Sequence, residues 1–356
     1  MSIGDRTIQV ARALPTAPIV DLRGRPLGSL RVSVTDRCNL RCRYCMPEEQ
    51  YIWLPRADLL TFDEMARVVD VFASLGASRV RLTGGEPLLR PGLPEFVRML
   101  AANPRIEDLA LTTNGVLLPE HAVELRDAGL RRMTVSLDTL RPDRFRSLSR
   151  RDLHSRVIDG IRLAAALGFD ELKLDTVVIR GRNEDEVPDL VRFARDHGAE
   201  VRFIEYMDVG GATHWSLDQV VSRAEMLQQL RDTFGEVEPV AGRGSAPAER
   251  FALPGGITVG IIASVTAPFC AACDRSRITA DGMWYRCLYA TDGTDLRGPL
   301  REGASSDELR ALVASTWQMR RDRGAEERAR LERRGTLVEP DRLRRDPHLE
   351  MHTRGG

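Results

Sequence analysis

Residues 32–47 read VSVTDRCNLRCRYCMP, and their three cysteines, Cys38, Cys42 and Cys45, stand in the spacing CxxxCxxC with Tyr44 before the last. A second triplet, Cys270, Cys273 and Cys287, is a CxxC followed by thirteen residues and another cysteine; the two triplets use all six cysteines of the chain. Three thiolates fall one short of the four that close a 4Fe-4S cluster or a structural zinc site. Each triplet therefore predicts a metal centre with one position open to another ligand.

Outward from that loop, short apolar runs alternate with longer helical ones. Residues 30–34 read as a strand, 62–75 as a helix and 80–83 as the next strand; 93–102, 109–112, 120–128 and 133–137 continue the alternation, followed by 155–167, 172–179, 184–196 and 201–206. Gly76, Gly129, Gly168 and Gly198 mark helix ends. Strands joined by helix-length crossovers run parallel. Six such units predict an α/β fold, an incomplete (β/α)6 TIM-like barrel with its site over the carboxyl ends of the strands. Periodicity alone also fits an open doubly wound sheet.

After residue 206 the rhythm fails. Residues 216–234 read as one more helix, capped by Ser216 and stopped by Gly235, and 241–250, rich in Gly, Ala, Pro and Ser, as a linker. Residues 256–264 and the segments around Ile278 and Trp284 read as antiparallel strands, with a turn at Asp281 and Gly282. The expectation is a partial barrel at 18–240, a small C-terminal α+β domain at 241–340 carrying the second triplet, and a flexible tail at 341–356 ending in Gly355 and Gly356. Residues 306–319 read as an amphipathic helix, and the Arg/Glu-rich run 320–334 as a solvated face or mobile arm.

Hydrophobic residues make up 42% of the 356, enough for a sizeable core. The 52 basic and 52 acidic residues cancel, which argues against a nucleic acid polymer as partner but leaves room for a local anion pocket. Lys173 is the only lysine, a bias that points to gene composition before function. Residues 1–17 lack the apolar stretch of a signal peptide, and no segment reaches the roughly 18 apolar residues of a membrane span. The chain is expected to be cytoplasmic, without a membrane partner, where thiols stay reduced and available to metals.

The 32–47 stretch resembles the radical S-adenosylmethionine superfamily. There the CxxxCxxC thiolates hold three irons of a 4Fe-4S cluster, and the cosubstrate S-adenosyl-L-methionine chelates the fourth. A zinc knuckle is the alternative, but it lacks a fourth ligand here and zinc offers no electron. Residues 83–87, TGGEP, strengthen the likeness: Gly84 and Gly85 let backbone approach a ligand, and Glu86 offers an acceptor for an amine. The resemblance implies that this stretch meets the cosubstrate's amino group, and that Tyr44, Thr113, Asn114 and Ser136 contact the rest of it.

With both triplets and the final two glycines, the whole chain is similar to the molybdenum-cofactor biosynthesis protein A family, the GTP 3',8-cyclases. The resemblance implies a lyase-type radical enzyme that converts GTP to (8S)-3',8-cyclo-7,8-dihydroguanosine 5'-triphosphate, the first step of molybdenum cofactor biosynthesis. A 5'-deoxyadenosyl radical takes the hydrogen at C3', and the carbon radical attacks C8 of the guanine. Two 4Fe-4S clusters are implied, the auxiliary one at Cys270, Cys273 and Cys287 holding the guanine. Arg31, Arg79, Arg81, Lys173, Arg202, Arg275 and Arg277 match the family's triphosphate-binding positions, where arginine's fork suits paired oxygens. Gly355 and Gly356 would enter the pocket and assist the radical step. A reduced flavodoxin- or ferredoxin-type electron donor, a downstream cyclic pyranopterin monophosphate synthase, and a monomer or homodimer are also implied.

Two positions depart from the family: Asp175, where an asparagine is usual, and Arg354, where an apolar residue is more common. The histidines, His352 included, form no ligand cluster and read as surface or local hydrogen-bonding groups. Two other classes remain open. A peptide-modifying maturase would carry a longer seven-cysteine pattern and a peptide-binding element, for which 16–28 is too short. A non-enzymatic iron–sulfur or zinc-stabilised module would leave TGGEP without a purpose.

Overall fold

The computed structural model describes residues 18–355, so the expectations for 1–17 and for Gly356 lie outside the described residues. Twelve strands form one sheet: β1 Ser29–Ser33, β2 Arg79–Thr83, β3 Asp108–Thr113, β4 Arg132–Ser136, β5 Glu171–Val178, β6 Glu200–Glu205, β7 Glu238–Pro239, β8 Glu249–Leu253, β9 Ile257–Ile262, β10 Arg275–Ile278, β11 Met283–Tyr285 and β12 Thr294–Asp295. The helices are α1 Phe62–Ser74, α2 Leu93–Ala101, α3 Leu118–Asp127, α4 Pro142–Ser149, α5 His154–Leu167, α6 Val187–Asp196, α7 Arg223–Phe234, α8 Arg297–Arg301, α9 Ser306–Gln318, α10 Gly324–Ala329, α11 Pro340–Leu343 and α12 Met351–Arg354. No described helix is long and apolar enough to cross a membrane.

The sheet order is β12-β11-β10-β1-β2-β3-β4-β5-β6-β9-β8-β7, and β1 to β6 pair parallel in sequence order. This is the incomplete TIM-like barrel, not a doubly wound sheet whose order reverses partway. The C-terminal strands depart from the antiparallel reading. β10 pairs parallel with β1 and β9 parallel with β6, so both join the barrel's own sheet; the strands beyond them, β11 and β12 on one side and β8 and β7 on the other, pair antiparallel. The turn at Asp281 and Gly282 does connect β10 to β11, with Gly282 at φ +89°.

Strand alternation sorts the side chains. Leu30, Val32, Val80, Leu82, Leu109, Leu111, Met133, Val135, Val201 and Phe203 are buried in one core with the helices. The other face of the same strands carries Arg31, Arg81, Thr112, Thr134, Lys173 and Arg202 into the barrel. Register puts Arg277, Arg31 and Arg81 side by side on β10, β1 and β2.

Two further readings change. The helix expected at 216–234 is a short 3-10 turn, Leu217–Gln219, followed by α7, whose cap is Ser222 and not Ser216. Ser222 Oγ accepts from Glu225 N at 3.3 Å while Ser222 N donates to the Glu225 carboxylate at 2.9 Å, a reciprocal pair that Ser216 cannot offer α7 from six residues upstream. The run 320–334 is folded in part, with α10 inside it: Arg330 to Arg333 are exposed as a solvated face would be, while Arg320 is buried and Arg328 and Arg334 turn inward. Arg334 and Arg328 both pair with Asp208, whose side chain is fully buried, and Tyr289 Oη donates to the same carboxylate at 3.2 Å. Charge repeats read as surface because sequence alone does not show a buried counter-ion.

Replacing Ser222 with alanine should destabilise the protein by about 1 kcal/mol in a urea titration, and Ser216→Ala by less. Asp208→Ala strands two guanidiniums around an empty buried site; an unfolding free energy lower by about 3 kcal/mol is expected.

Candidate active site

The loop after β1 carries the first triplet and runs beside the TGGEP turn after β2. Val34 N donates to Thr83 O at 2.9 Å, Gly85 N to Thr35 O at 2.8 Å and Glu86 N to Arg37 O at 2.7 Å. Gly84 sits at φ +155°, and a Cβ on Gly84 or Gly85 would collide with the backbone of Thr35 or Arg37. The glycines are thus required by this protein backbone, where sequence reading placed a ligand. Cys45 N and Met46 N both donate to Cys42 O, at 3.0 and 2.6 Å, curling the loop, and all three thiols border the same cavity.

Glu86 is fully buried and accepts from Thr113 Oγ1 at 2.8 Å, Asn114 N at 2.7 Å and Leu88 N at 3.0 Å. Burial pushes its carboxyl up to about 7, against the pull of those donors. Tyr44 Oη donates to Asp138 Oδ2 at 2.8 Å, and Val177 N to Asp138 Oδ1 at 3.0 Å. Burial lifts Asp138 to about 6 in spite of them. Sequence reading missed Asp138, although a carboxylate just past the carboxyl end of a barrel strand was a usable signal.

The second triplet lies on the short turn Cys270–Ala272, on Cys273 before β10, and on Cys287 after β11. Gly324, at the start of α10, packs so closely that a Cβ there would stand 3.2 Å from Cys287 Sγ. All six cysteines are free thiols and line one cavity, which encloses about 2170 Å³ of empty space including its mouth. Burial pushes the Cys38 and Cys287 thiols up to about 11. Burial acts likewise on Cys273, but Arg275 and Arg320 together outweigh it and hold that thiol below its ordinary value. Among the described residues no three His, Cys, Asp or Glu side chains gather tightly enough to hold one metal ion.

Gly84, Gly85, Thr113, Asn114, Ser136 and Tyr44 all line this cavity, as do Arg31, Arg275, Arg277 and Asp175. Burial first, then Arg277, Arg81 and Arg275, depress the Arg31 pKa well below the guanidinium range, while Asp175 offsets part of that. Arg81 is one layer removed, donating to Thr112 Oγ1 at 3.0 Å and Thr134 Oγ1 at 2.9 Å. Lys173 is buried against Glu171, and Arg202 donates to Glu200 at 2.9 Å. The structure corrects Arg79: its side chain is 47% exposed and forms a strut to Asp274 away from the cavity lining.

The last turns pack over the cavity. Arg354 is buried, donates to Leu288 O at 3.1 Å and Ala290 O at 2.7 Å, and lies 4.2 Å over the Tyr285 ring, so this departure from the family supports docking. Gly355 presses on Thr83 and its carbonyl accepts from Arg277 Nη1 at 3.3 Å. His352 is no surface residue: it is buried against Tyr51 and Trp53, ring centroids 5.1 and 5.5 Å away, and burial drives its pKa down to about 3.

Comparison with known proteins agrees with this geometry. Residues 32–194 match the Radical SAM superfamily and 199–326 match Molybdenum Cofactor Synthesis C. The chain is 56% identical over 346 residues to GTP 3',8-cyclase 1 of Mycobacterium tuberculosis, covering 96% of each. It is 47% identical over 328 residues to the GTP 3',8-cyclase of Streptomyces coelicolor, covering 91% of this chain and 94% of that one. Among solved structures, Streptococcus suis SuiB bound to S-adenosylmethionine superposes with a TM-score of 0.58 at 15% identity, over 82% of this chain and 69% of that one, a likeness of fold. A cavity that gathers two cysteine triplets, in a chain matched along almost its whole length, places this protein in the GTP 3',8-cyclase family of the radical S-adenosylmethionine superfamily.

Proposed function

We propose that the chain is a lyase-type radical enzyme that cyclises GTP to (8S)-3',8-cyclo-7,8-dihydroguanosine 5'-triphosphate in molybdenum cofactor biosynthesis. The observation that carries this reading is the opening of both cysteine triplets and three arginines, Arg31, Arg275 and Arg277, into one cavity. Cys38, Cys42 and Cys45 would hold one 4Fe-4S cluster, and Cys270, Cys273 and Cys287 an auxiliary one. Three thiols in each triplet leave one ligand position short of the four that close a zinc site, which suits a cluster with one open iron. When bound and reduced, the first cluster supplies the electron that cleaves S-adenosyl-L-methionine to methionine and a 5'-deoxyadenosyl radical, and the second supplies an iron for the guanine edge.

The protein's own part is placement and exclusion of solvent. Glu86 sits beside the first triplet as the acceptor for the cosubstrate's amino group, held by Thr113 and Asn114. Tyr44, Ser136, Gly84 and Gly85 complete that side of the cavity. Arg31, Arg275 and Arg277 face the triphosphate; Arg81, Arg202 and Lys173 add positive field from the layer below, with Lys173 held down to about 8 by burial and by Arg202. Asp175 stands among these cations as a partial counter-charge that the nucleotide must share. Gly355 and Gly356 are proposed to assist the radical step as a chain end without side chains. A flavodoxin- or ferredoxin-type donor, a downstream cyclic pyranopterin monophosphate synthase, a cytoplasmic setting and a monomer or homodimer complete the proposal.

Anaerobically reconstituted protein given dithionite, S-adenosyl-L-methionine and GTP should form 5'-deoxyadenosine and a cyclised nucleotide by mass spectrometry. Cys38→Ala should abolish both. Cys270→Ala should keep cosubstrate cleavage and lose cyclised product at least about tenfold, as expected for a lost orienting contact worth about 1.4 kcal/mol or more. Turnover of a peptide in place of GTP would select the maturase reading.

Glu86 makes the cosubstrate step proton-linked. Its folded pKa of about 7 lies above the ordinary 4.5, so without ligand its contribution to stability is complete below pH 4.5 and lost as pH rises through 7. An amine donating its N–H to the carboxylate favours the ionised form and expels the proton. Calorimetry at pH 6 in two buffers of different ionisation heat should show proton release on cosubstrate binding that disappears above pH 8. Equal release from Glu86→Gln would remove Glu86 from that role.

A further inference from the structure

Arg320 opens a charge-rich run, yet it is only 1% exposed. Its fork is spent on one cysteine: Nη1 donates to Cys273 O at 2.8 Å and Nη2 stands 3.8 Å from Cys273 Sγ. The rest of the side chain is walled in. Nε donates to Asp322 at 3.2 Å, Asp21 lies 3.7 Å from Nη1, and the guanidinium carbon is 4.5 Å over the Trp317 ring. Asp21 in turn holds Arg25 at 2.6 Å, and Arg25 Nη1 donates to Cys270 O at 3.0 Å. A layer of two buried guanidiniums, the buried Asp21 and the half-buried Asp322 therefore backs the CxxC turn, and none of the four lines the cavity.

On the cavity side Arg275 Nη2 stands 3.7 Å from the same Cys273 Sγ. Cys273 thus faces two cations, whereas the sulfur of Cys38 meets one neutral amide, Asn114 Nδ2, at 3.8 Å. The two arginines differ in freedom. Arg275 borders the cavity and is open to capture by an entering anion, while Arg320 is locked by its carboxylates and its indole. Cationic donors to a ligating sulfur stabilise the reduced, more negative state of an iron–sulfur cluster and raise its potential.

We propose that Arg320 is a positioning residue that fixes Cys273 and sets the reduction potential of the auxiliary centre, independent of whether the cavity is filled. This rests on the reading that the second triplet holds a 4Fe-4S cluster. Raising the potential there makes the auxiliary centre the easier of the two to reduce, leaving the first triplet, where Arg41 Nη1 donates to the Cys38 carbonyl at 2.7 Å and the Cys38 sulfur meets a neutral amide, the stronger reductant.

The test uses reconstituted full-length holoenzyme as wild type, R320Q and R320K, with iron analysis and a potentiometric titration followed by electron paramagnetic resonance. In R320Q the reduced-to-oxidised ratio of the auxiliary signal at a fixed potential should fall on the order of tenfold, about 59 mV for a one-electron couple, with the first cluster unmoved. R320K, which keeps the charge but not the fork, should shift less. Fully loaded variants with an unmoved auxiliary signal overturn the proposal. If R320Q loses iron, R320K decides, and an unchanged potential in it is again fatal. A wild type with about four irons per chain, signals from the first triplet alone, removes the reading of the second triplet itself, a failure distinct from any result on Arg320.

Discussion

Like charges crowded together out of water repel, and this barrel places Arg277, Arg31 and Arg81 in one row across three neighbouring strands. A parallel barrel ordinarily fills its interior with branched apolar side chains. Here the interior is given over to guanidiniums, an ammonium and hydroxyls, each of which costs free energy to desolvate. Asp175, Thr112 and Thr134 meet part of the demand. Arg277 also donates to the Gly355 carbonyl, and the row as a whole gives the cavity a positive lining that suits the anion proposed for it. Stability has to come from elsewhere, and it comes from the other side of the same strands, where leucines, valines and phenylalanines pack against the helices.

Carboxylates at the end of β6 hold the C-terminal region in place. Glu205 accepts from Arg223 N, Val265 N and Thr266 N, each at 2.8 Å, and so joins three separate segments at one buried point. Three residues on, Asp208 draws in Arg328 and Arg334. Together with the pairing of β10 to β1 and β9 to β6, these contacts set the second triplet opposite the first. One cavity between two cysteine groups is thus a product of strand pairing at both margins of a barrel left open.

Much of this was legible in the chain. The β1 to β6 strands and their helices were readable because apolar alternation and glycine stops are local signals, and both triplets because cysteine spacing is itself chemistry. What sequence reading missed has a common cause. Parallel pairing of β9 and β10 is non-local and leaves no mark in either strand. Arg320 and Arg334 look like surface residues because nothing beside them in sequence announces Asp21 or Asp208. α4, Pro142–Ser149, was overlooked because five of its eight residues are charged or serine, and Arg79 was credited to the cavity although Asp274, far along the chain, holds it outside.

The two faces of each barrel strand also bear on how this chain can change over evolutionary time. Since Arg31 alternates with Leu30 and Val32, removing a single codon ahead of β1 would slide the strand by one place. That slip would turn the guanidinium into the oily layer beneath the helices and a leucine or valine toward the substrate. Substitutions along β1 can be sampled one at a time. Changes of length there cannot, whereas a segment such as 241–248, between β7 and β8, lies outside the paired strands and sets no such register.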